Sequence, residues 1–255
     1  MTATLLTINS ERLRDDIDKL GQIGRRDNRG LYRMAFSDGD MQGRQWLKTQ
    51  IENAGLYFCE DGAANLHARH NWDENKPSVV TGSHLDTIPG AGHLDGALGV
   101  LAGLEALRRL KEEKLPLNLP LELIAFTDEE GRFGGMFGSQ AICGQLTPEK
   151  IYNAVDLDGN SIVDAMGHCG YDAMAALMAR RSPESIHAFV EMHIEQGPVL
   201  DAEKISIGIV EGIAGLFKWN VTLKGNSNHA GSTPMDMRQD AFQGLAEVAG
   251  QIDRV

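Results

Sequence analysis

Residues 121–127 (LELIAFT) form an apolar run broken only at Glu122. A strand with one wet face alternates apolar and polar residues, whereas a strand covered on both faces does not. This run therefore requires a layer on each side of its sheet. It ends in a polar loop, residues 128–135 (DEEGRFGG). Upstream, residues 78–82 (SVVTG) form a short strand that also enters a polar loop, residues 83–95. Residues 96–111 then form a helix, with Leu98, Leu101, Leu104 (or Ala102) and Leu107 on one face. A third apolar strand, residues 186–192, ends at His193-Ile194-Glu195-Gln196-Gly197. The order strand, polar loop, helix specifies an α/β fold. In open α/β sheets ligands bind outside the carboxyl ends of the strands, where these polar loops lie.

The flanking segments fit that frame. Ile8, Leu13, Ile17 and Leu20 keep a helical spacing before a loop at residues 21–30. A second helix is expected over 41–54, stopped by Gly55. Two strands, 56–59 and 65–69, flank a turn at Asp61-Gly62. After Gly212 the pattern changes: Phe217, Trp219, Val221 and Leu223 alternate as in a half-exposed strand. A polar turn, His229-Ala230-Gly231-Ser232-Thr233-Pro234 and a helix over 236–252 follow. The expected division is a first domain of residues 1–211 and the start of a second over 212–255. A strand and a helix bury too little for a core of their own. The chain is therefore expected to be the N-terminal portion of a longer protein.

Charge and cysteine usage narrow the function. Lys and Arg number 24 against 36 Asp and Glu, a net charge of -12, with no basic run. That argues against nucleic acid as a partner. The apolar stretches fall far below the ~18 residues of a membrane span, and the N-terminus lacks a secretory layout. Cys59, Cys143 and Cys169 are far apart and form no CxxC pair. A soluble, cytoplasmic protein with a reduced thiol complement is expected.

Four clusters carry side chains able to do chemistry. In Gly82-Ser83-His84-Leu85-Asp86, the His and the Asp are two apart at a strand end, on one side of it. Imidazole is a good zinc ligand and usually donates its other N–H to a carboxylate or carbonyl, a role open to Asp86. The competing reading is a polar turn. Asp95, just before a helix, is either its N-cap or a carboxylate bridging two cations. His93 reads as a loop residue. Asp128-Glu129-Glu130 is either a solvated charge run or a ligand beside a general base, since adjacent side chains point in different directions. His193 is either a ligand or a satisfied core histidine. Mixed His and carboxylate donors suit Zn, Mn, Co or Ni, not calcium.

Taken together, GSHLDT, GHLDGALGV, FTDEEGRF, HIEQG and NHAGSTPM, in that order, resemble the dinuclear-metal amidohydrolases of the carboxypeptidase/aminoacylase superfamily. The nearer resemblance is to the branch of N-carbamoyl-L-amino-acid hydrolases, β-ureidopropionase-like enzymes and allantoate amidohydrolases, and it covers essentially the whole chain. It implies a zinc-exopeptidase-like catalytic domain, with a mixed central sheet flanked by helices, and the start of a smaller α+β lid and dimerisation domain. It further implies two divalent ions held by His84, Asp95, Glu130 and His193, with Asp95 bridging. Glu129 would be the general base and Asp86 the partner of His84. Gln196 would lie near the ureido group of a small carboxylate substrate. His229 would polarise the scissile carbonyl, reaching the neighbouring subunit's site in a homodimer. The loop GRFGGMFGS after Glu130 is slightly shorter than the usual form. The family's last metal-binding histidine and its substrate-gripping arginine lie beyond the regions matched here. A dipeptidase or aminoacylase of the same superfamily, or a non-catalytic fragment with an incomplete site, are the competing functions. The Gln after the acid in HIEQG favours the ureido branch, and the lack of a GxSxG elbow excludes a serine hydrolase of the α/β type.

Overall fold

The computed structural model describes residues 6–215 and 219–252. The chain divides into two compact units, residues 1–197 and 198–255. In the first unit, α1 (Ser10–Leu20) leads through a two-residue ladder, β1 (Arg25–Arg26) with β2 (Gly30–Leu31), to α2 (Asp38–Asn53). Then come β3 (Tyr57–Glu60), β4 (Leu66–His70), β5 (Ser78–His84), α3 (Ala97–Glu112) and β6 (Leu121–Phe126). Three short helices follow, α4 (Phe137–Ile142), α5 (Pro148–Asn153) and α6 (Ile162–His168), and then β7 (Ile186–Val190).

The strands form one mixed sheet in the order β3-β4-β6-β5-β7. β3 with β4 and β4 with β6 are antiparallel, while β5 is parallel to both β6 and β7. Parallel neighbours need long crossovers, and α3 makes the one from β5 to β6. The carboxyl ends of β5, β6 and β7 therefore face one edge.

Side-chain alternation along β6 explains its continuous apolar run. Leu123 and Ala125 enter the main core with Leu20, Leu47, Ile51 and Leu104 from α1–α3. Ile124 points the other way, against Val80 and Ile142. Both faces of β6 are thus covered. A second core, including Phe36, Phe133, Phe137, Ile151, Ile162 and Met166, lies under the loops between β6 and β7. The helices of that region have six or seven residues each. They span too few turns for a hydrophobic period to announce them.

In the second unit, α7 (Val199–Glu203) and α8 (Ala241–Ala249) are helical, and Asp240 caps α8 by accepting from the Phe242 N–H. The helix expected over 236–252 is shorter, with a 3-10 turn over Met235–Met237 ahead of it. Of the alternating segment, Phe217 lies outside the described residues, and Trp219, Val221 and Leu223 are exposed and not in a strand. Among the described residues of this unit there is no strand for them to pair with. A lone strand would leave its backbone groups unpaired.

Candidate metal centre

His84 is the last residue of β5, paired in register with Phe126 of β6. Its Nδ1 lies 2.9 Å from the backbone carbonyl of Asp86. That partner fixes the proton on Nδ1 and leaves the Nε2 lone pair free. His193, just beyond β7, repeats the device, with Nδ1 2.9 Å from the Ile194 carbonyl. The two rings lie on the same side of the sheet, with centroids 6.1 Å apart.

Asp95 stands between them. Its Oδ1 is 3.3 Å from His193 Nε2 and 4.0 Å from His84 Nε2. One ligand atom from each of His84, Asp95 and His193 falls within 4.8 Å of the others. Asp95 does not cap α3: Gly96 occupies the cap position and no side chain bonds there. Gly96 has φ +61°, and a Cβ on it would lie 2.4 Å from the His84 ring. Only glycine lets this helix start so close to the imidazole.

These donors fit a divalent cation. Two neutral imidazole nitrogens and one carboxylate form a borderline donor set. Asp95 Oδ1 is moreover a buried oxygen without a hydrogen-bond partner. Buried acceptors without partners are rare, and a cation between this oxygen and the two Nε2 atoms would satisfy it.

The acidic loop after β6 is held by two buried carboxylates. Asp86 accepts the Glu129 N–H on Oδ1 (3.2 Å) and the Glu130 N–H on Oδ2 (3.0 Å). Its carboxylate is 3.9 Å from His84 Nδ1, so the backbone carbonyl, not the acid, orients that ring. Burial, with the Asp40 carboxylate adding to it, pushes the Asp86 carboxyl above its ordinary range despite nearby His84. Asp128 accepts the Phe133 N–H, at 3.1 Å on Oδ2 and 3.4 Å on Oδ1. Burial, then the Asp86 charge, push Asp128 up to about 7. Asp128 is thus the organiser of the GRFGG turn, a role its place in an acidic triplet did not reveal.

The two glutamates separate as adjacent residues must. Burial raises the Glu130 carboxyl; nearby His84 works against this, and the Asp95 and Asp86 charges add to the rise. Glu129 turns toward Ser139, whose hydroxyl is 3.1 Å from Oε2. It lines a cavity of about 380 Å³ together with His84, His193, Phe126 and Phe189. Burial raises the Glu129 carboxyl, and the Ser139 hydrogen bond and His84 work against it. Gln196 donates to Asp95 Oδ2 at 2.6 Å. His229 belongs to the second unit, where the Gly231 and Ser232 N–H groups each donate to its Nδ1 at 3.2 Å.

The architecture is that of an α/β protein with a candidate metal centre at the carboxyl edge of a mixed sheet. The chain belongs to peptidase family M20/M25/M40, whose profile matches residues 67–254. Enzymes of this family generally use divalent metals. The chain is similar to an N-carbamoyl-L-amino acid amidohydrolase of Geobacillus stearothermophilus, with 39% identity over 250 residues, 96% of this chain and 61% of that one. It is also similar to the allantoate amidohydrolase of Escherichia coli strain K12, 37% identical over 97% of this chain and 60% of that one. Among solved structures, a hydantoinase/carbamoylase family amidase from Burkholderia ambifaria superposes with a TM-score of 0.81 at 34% identity, covering 98% of this chain and 62% of that one. The chain thus spans about three-fifths of the length of these relatives. Among the described residues, no helix is long and apolar enough to cross a membrane.

Proposed function

We propose that the whole protein is a metal-dependent amidohydrolase that cleaves a linear C–N bond of a ureido group. Its substrate is a small carboxylate: an N-carbamoyl amino acid, a β-ureido acid or allantoate. The observation that carries this reading is the convergence of His84, Asp95 and His193 on one buried, unpartnered carboxylate oxygen. The similarity to an N-carbamoyl-L-amino acid amidohydrolase and an allantoate amidohydrolase selects the bond. In this reading residues 1–211 are the greater part of a catalytic domain in a cytoplasmic homodimer, and residues 212–255 begin its lid and dimerisation domain.

His84, Asp95, Glu130 and His193 would hold two divalent ions, zinc or else Mn, Co or Ni. Such ions supply Lewis acidity and make water a nucleophile near neutral pH. Glu129 takes the proton of the attacking water as the ureido carbonyl becomes tetrahedral. Glu129 then gives that proton to the leaving nitrogen. Gln196 is assigned to the ureido group. His229 is assigned to the carbonyl oxygen, across the homodimer interface, where a positioned donor stabilises developing charge. A carbamoyl amino acid would yield the amino acid, CO2 and ammonia.

The full-length protein, stripped with chelator and reloaded with zinc or manganese, is the material for the test. Ammonia release from N-carbamoyl-L-amino acids, a β-ureido acid and allantoate is expected to depend on the metal and to exceed hydrolysis of dipeptides and N-acetyl amino acids. Faster cleavage of the dipeptides or N-acetyl amino acids would overturn the ureido assignment.

Asp86 offers a second check. Its two oxygens each accept one loop N–H, and an asparagine has only one accepting oxygen. Asp86→Asn is expected to leave one N–H facing an amide N–H, loosen the acidic loop and weaken zinc binding about 10–100-fold. Competition with a chromogenic chelator measures this. Unchanged affinity would mean that the loop does not depend on Asp86.

A further inference from the structure

The start of α4 is stitched onto the loop that carries Glu129. Met136 N–H donates to the Glu129 carbonyl, Phe137 N–H to that of Asp128 and Gly138 N–H to that of Thr127, at 3.3, 3.3 and 2.8 Å. Gly138 is what permits this approach: a Cβ there would lie 2.0 Å from Asn65 Oδ1 and 2.5 Å from the Thr127 nitrogen. The next residue is Ser139. Its Oγ is 3.1 Å from Glu129 Oε2 and 3.2 Å from the Met136 carbonyl, three residues back. Among the described residues no other side chain hydrogen-bonds the Glu129 carboxylate. The backbone ladder sets where Ser139 stands, and the hydroxyl sets which way the carboxylate turns.

We propose that Ser139 is a positioning residue for Glu129. Its hydroxyl donates to Oε2 and holds the carboxylate plane so that Oε1 presents its lone pair to the proton being transferred. The inference rests on the reading of Glu129 as general base. Proton transfer demands that donor and acceptor be within hydrogen-bond reach and aligned. A carboxylate free to rotate about its terminal torsion spends part of its time misaligned, since that torsion is broad. Supporting hydrogen bonds that lock such rotors are what hold catalytic groups in productive geometry. Ser139 touches no reacting atom in this scheme and acts only through Glu129.

The test uses the full-length, zinc-loaded enzyme and N-carbamoyl-L-amino acid hydrolysis. Ser139→Ala and Ser139→Thr are made alone and in a Glu129→Gln background, with zinc content and melting temperature measured for each. Ser139→Ala should lower kcat about 10–100-fold, the scale of losing one hydrogen bond to a charged group. KM should stay within about 2-fold and zinc content should not change, because only alignment for proton transfer is lost. Ser139→Thr keeps the hydroxyl and should recover most of the rate. In the Glu129→Gln background Ser139→Ala should have no further effect, the signature of two residues acting as one unit. Ser139→Cys, a weak donor of similar size, should fall with Ala and serves if Ala does not fold. An equal loss of kcat from Ser139→Ala in both backgrounds overturns the proposal and leaves the base assignment standing. So does a loss of zinc. Full turnover by Glu129→Gln alone would instead show that the base assignment had failed, whatever Ser139 does.

Discussion

Glu129→Gln in the full-length enzyme is expected to cut turnover by roughly 10²–10⁴-fold, the scale of general-base catalysis, while zinc content stays nearly intact. Glutamine keeps the volume and the acceptor toward Ser139 but cannot take a proton. Glu130→Gln is expected to do the reverse, losing metal first and rate as a consequence. The asymmetry follows from where the two acids point. Glu130 lies near enough to Asp95 for the Asp95 charge to act on it, and Asp95 Oδ1 faces the two imidazoles. Glu129 lies off that cluster, held by Ser139 at the wall of the cavity it shares with His84 and His193. Metal analysis and rates on the same preparations decide between them. Loss of metal in Glu129→Gln with retention in Glu130→Gln would mean that the pair is assigned backwards.

Adjacency in the sequence separates the two side chains but does not say which is ligand and which is base; that order came from the family resemblance. Much of the fold was open to a reader of the sequence itself. The long amphipathic helices and the doubly buried strand carry strong periods, and α1, α3 and β6 lie within a few residues of where those periods place them. What the sequence hides is anything decided by a partner far along the chain. Asp95 precedes a helix and so resembles a cap, yet the Gly96 backbone starts the helix without it. Asp86 resembles an acid for His84, yet the ring takes the Asp86 carbonyl and the acid takes two N–H groups 43 and 44 residues away. Trp219, Val221 and Leu223 alternate as a strand does, but pairing needs a neighbour that the described residues of that unit lack. Glu122 is the sharpest case, a charge inside an apolar strand whose compensation comes from three other segments.

Replacing Glu122 by Gln is expected to destabilise the protein by about 3–5 kcal/mol, as when one partner of a buried ion network is removed. The Glu122 side chain is fully buried. Oε1 accepts from Arg69 Nε at 2.8 Å and lies 3.0 Å from His67 Nδ1, while Oε2 accepts from Arg181 and from Ser78 Oγ. Burial favours the neutral acid, but His67, Arg181 and Arg69 outweigh it and lower the carboxyl from 4.5 to about 2. A shift of that size corresponds to about 3 kcal/mol in favour of the folded state. The sign follows from the depressed value. The contribution is fully present above pH 4.5, where the unfolded chain is ionised too, and is lost as pH falls toward 2. His67 contributes in the opposite sense. Burial opposes its charge, the bonds to Asp61 and Glu122 raise its pKa overall, and that stabilisation fades as pH rises through the raised value. Urea denaturation of wild type and Glu122→Gln should therefore give stabilities far apart near pH 6 that converge between about pH 4.5 and 2. A gap below about 1 kcal/mol at pH 6, or one that does not narrow in acid, would mean that the buried charge does not hold β4, β5 and β6 to the Arg181 segment. Breaking an exposed pair such as Arg109–Glu113 should leave stability nearly unchanged. The contrast isolates burial, rather than ion pairing as such, as the source of the effect.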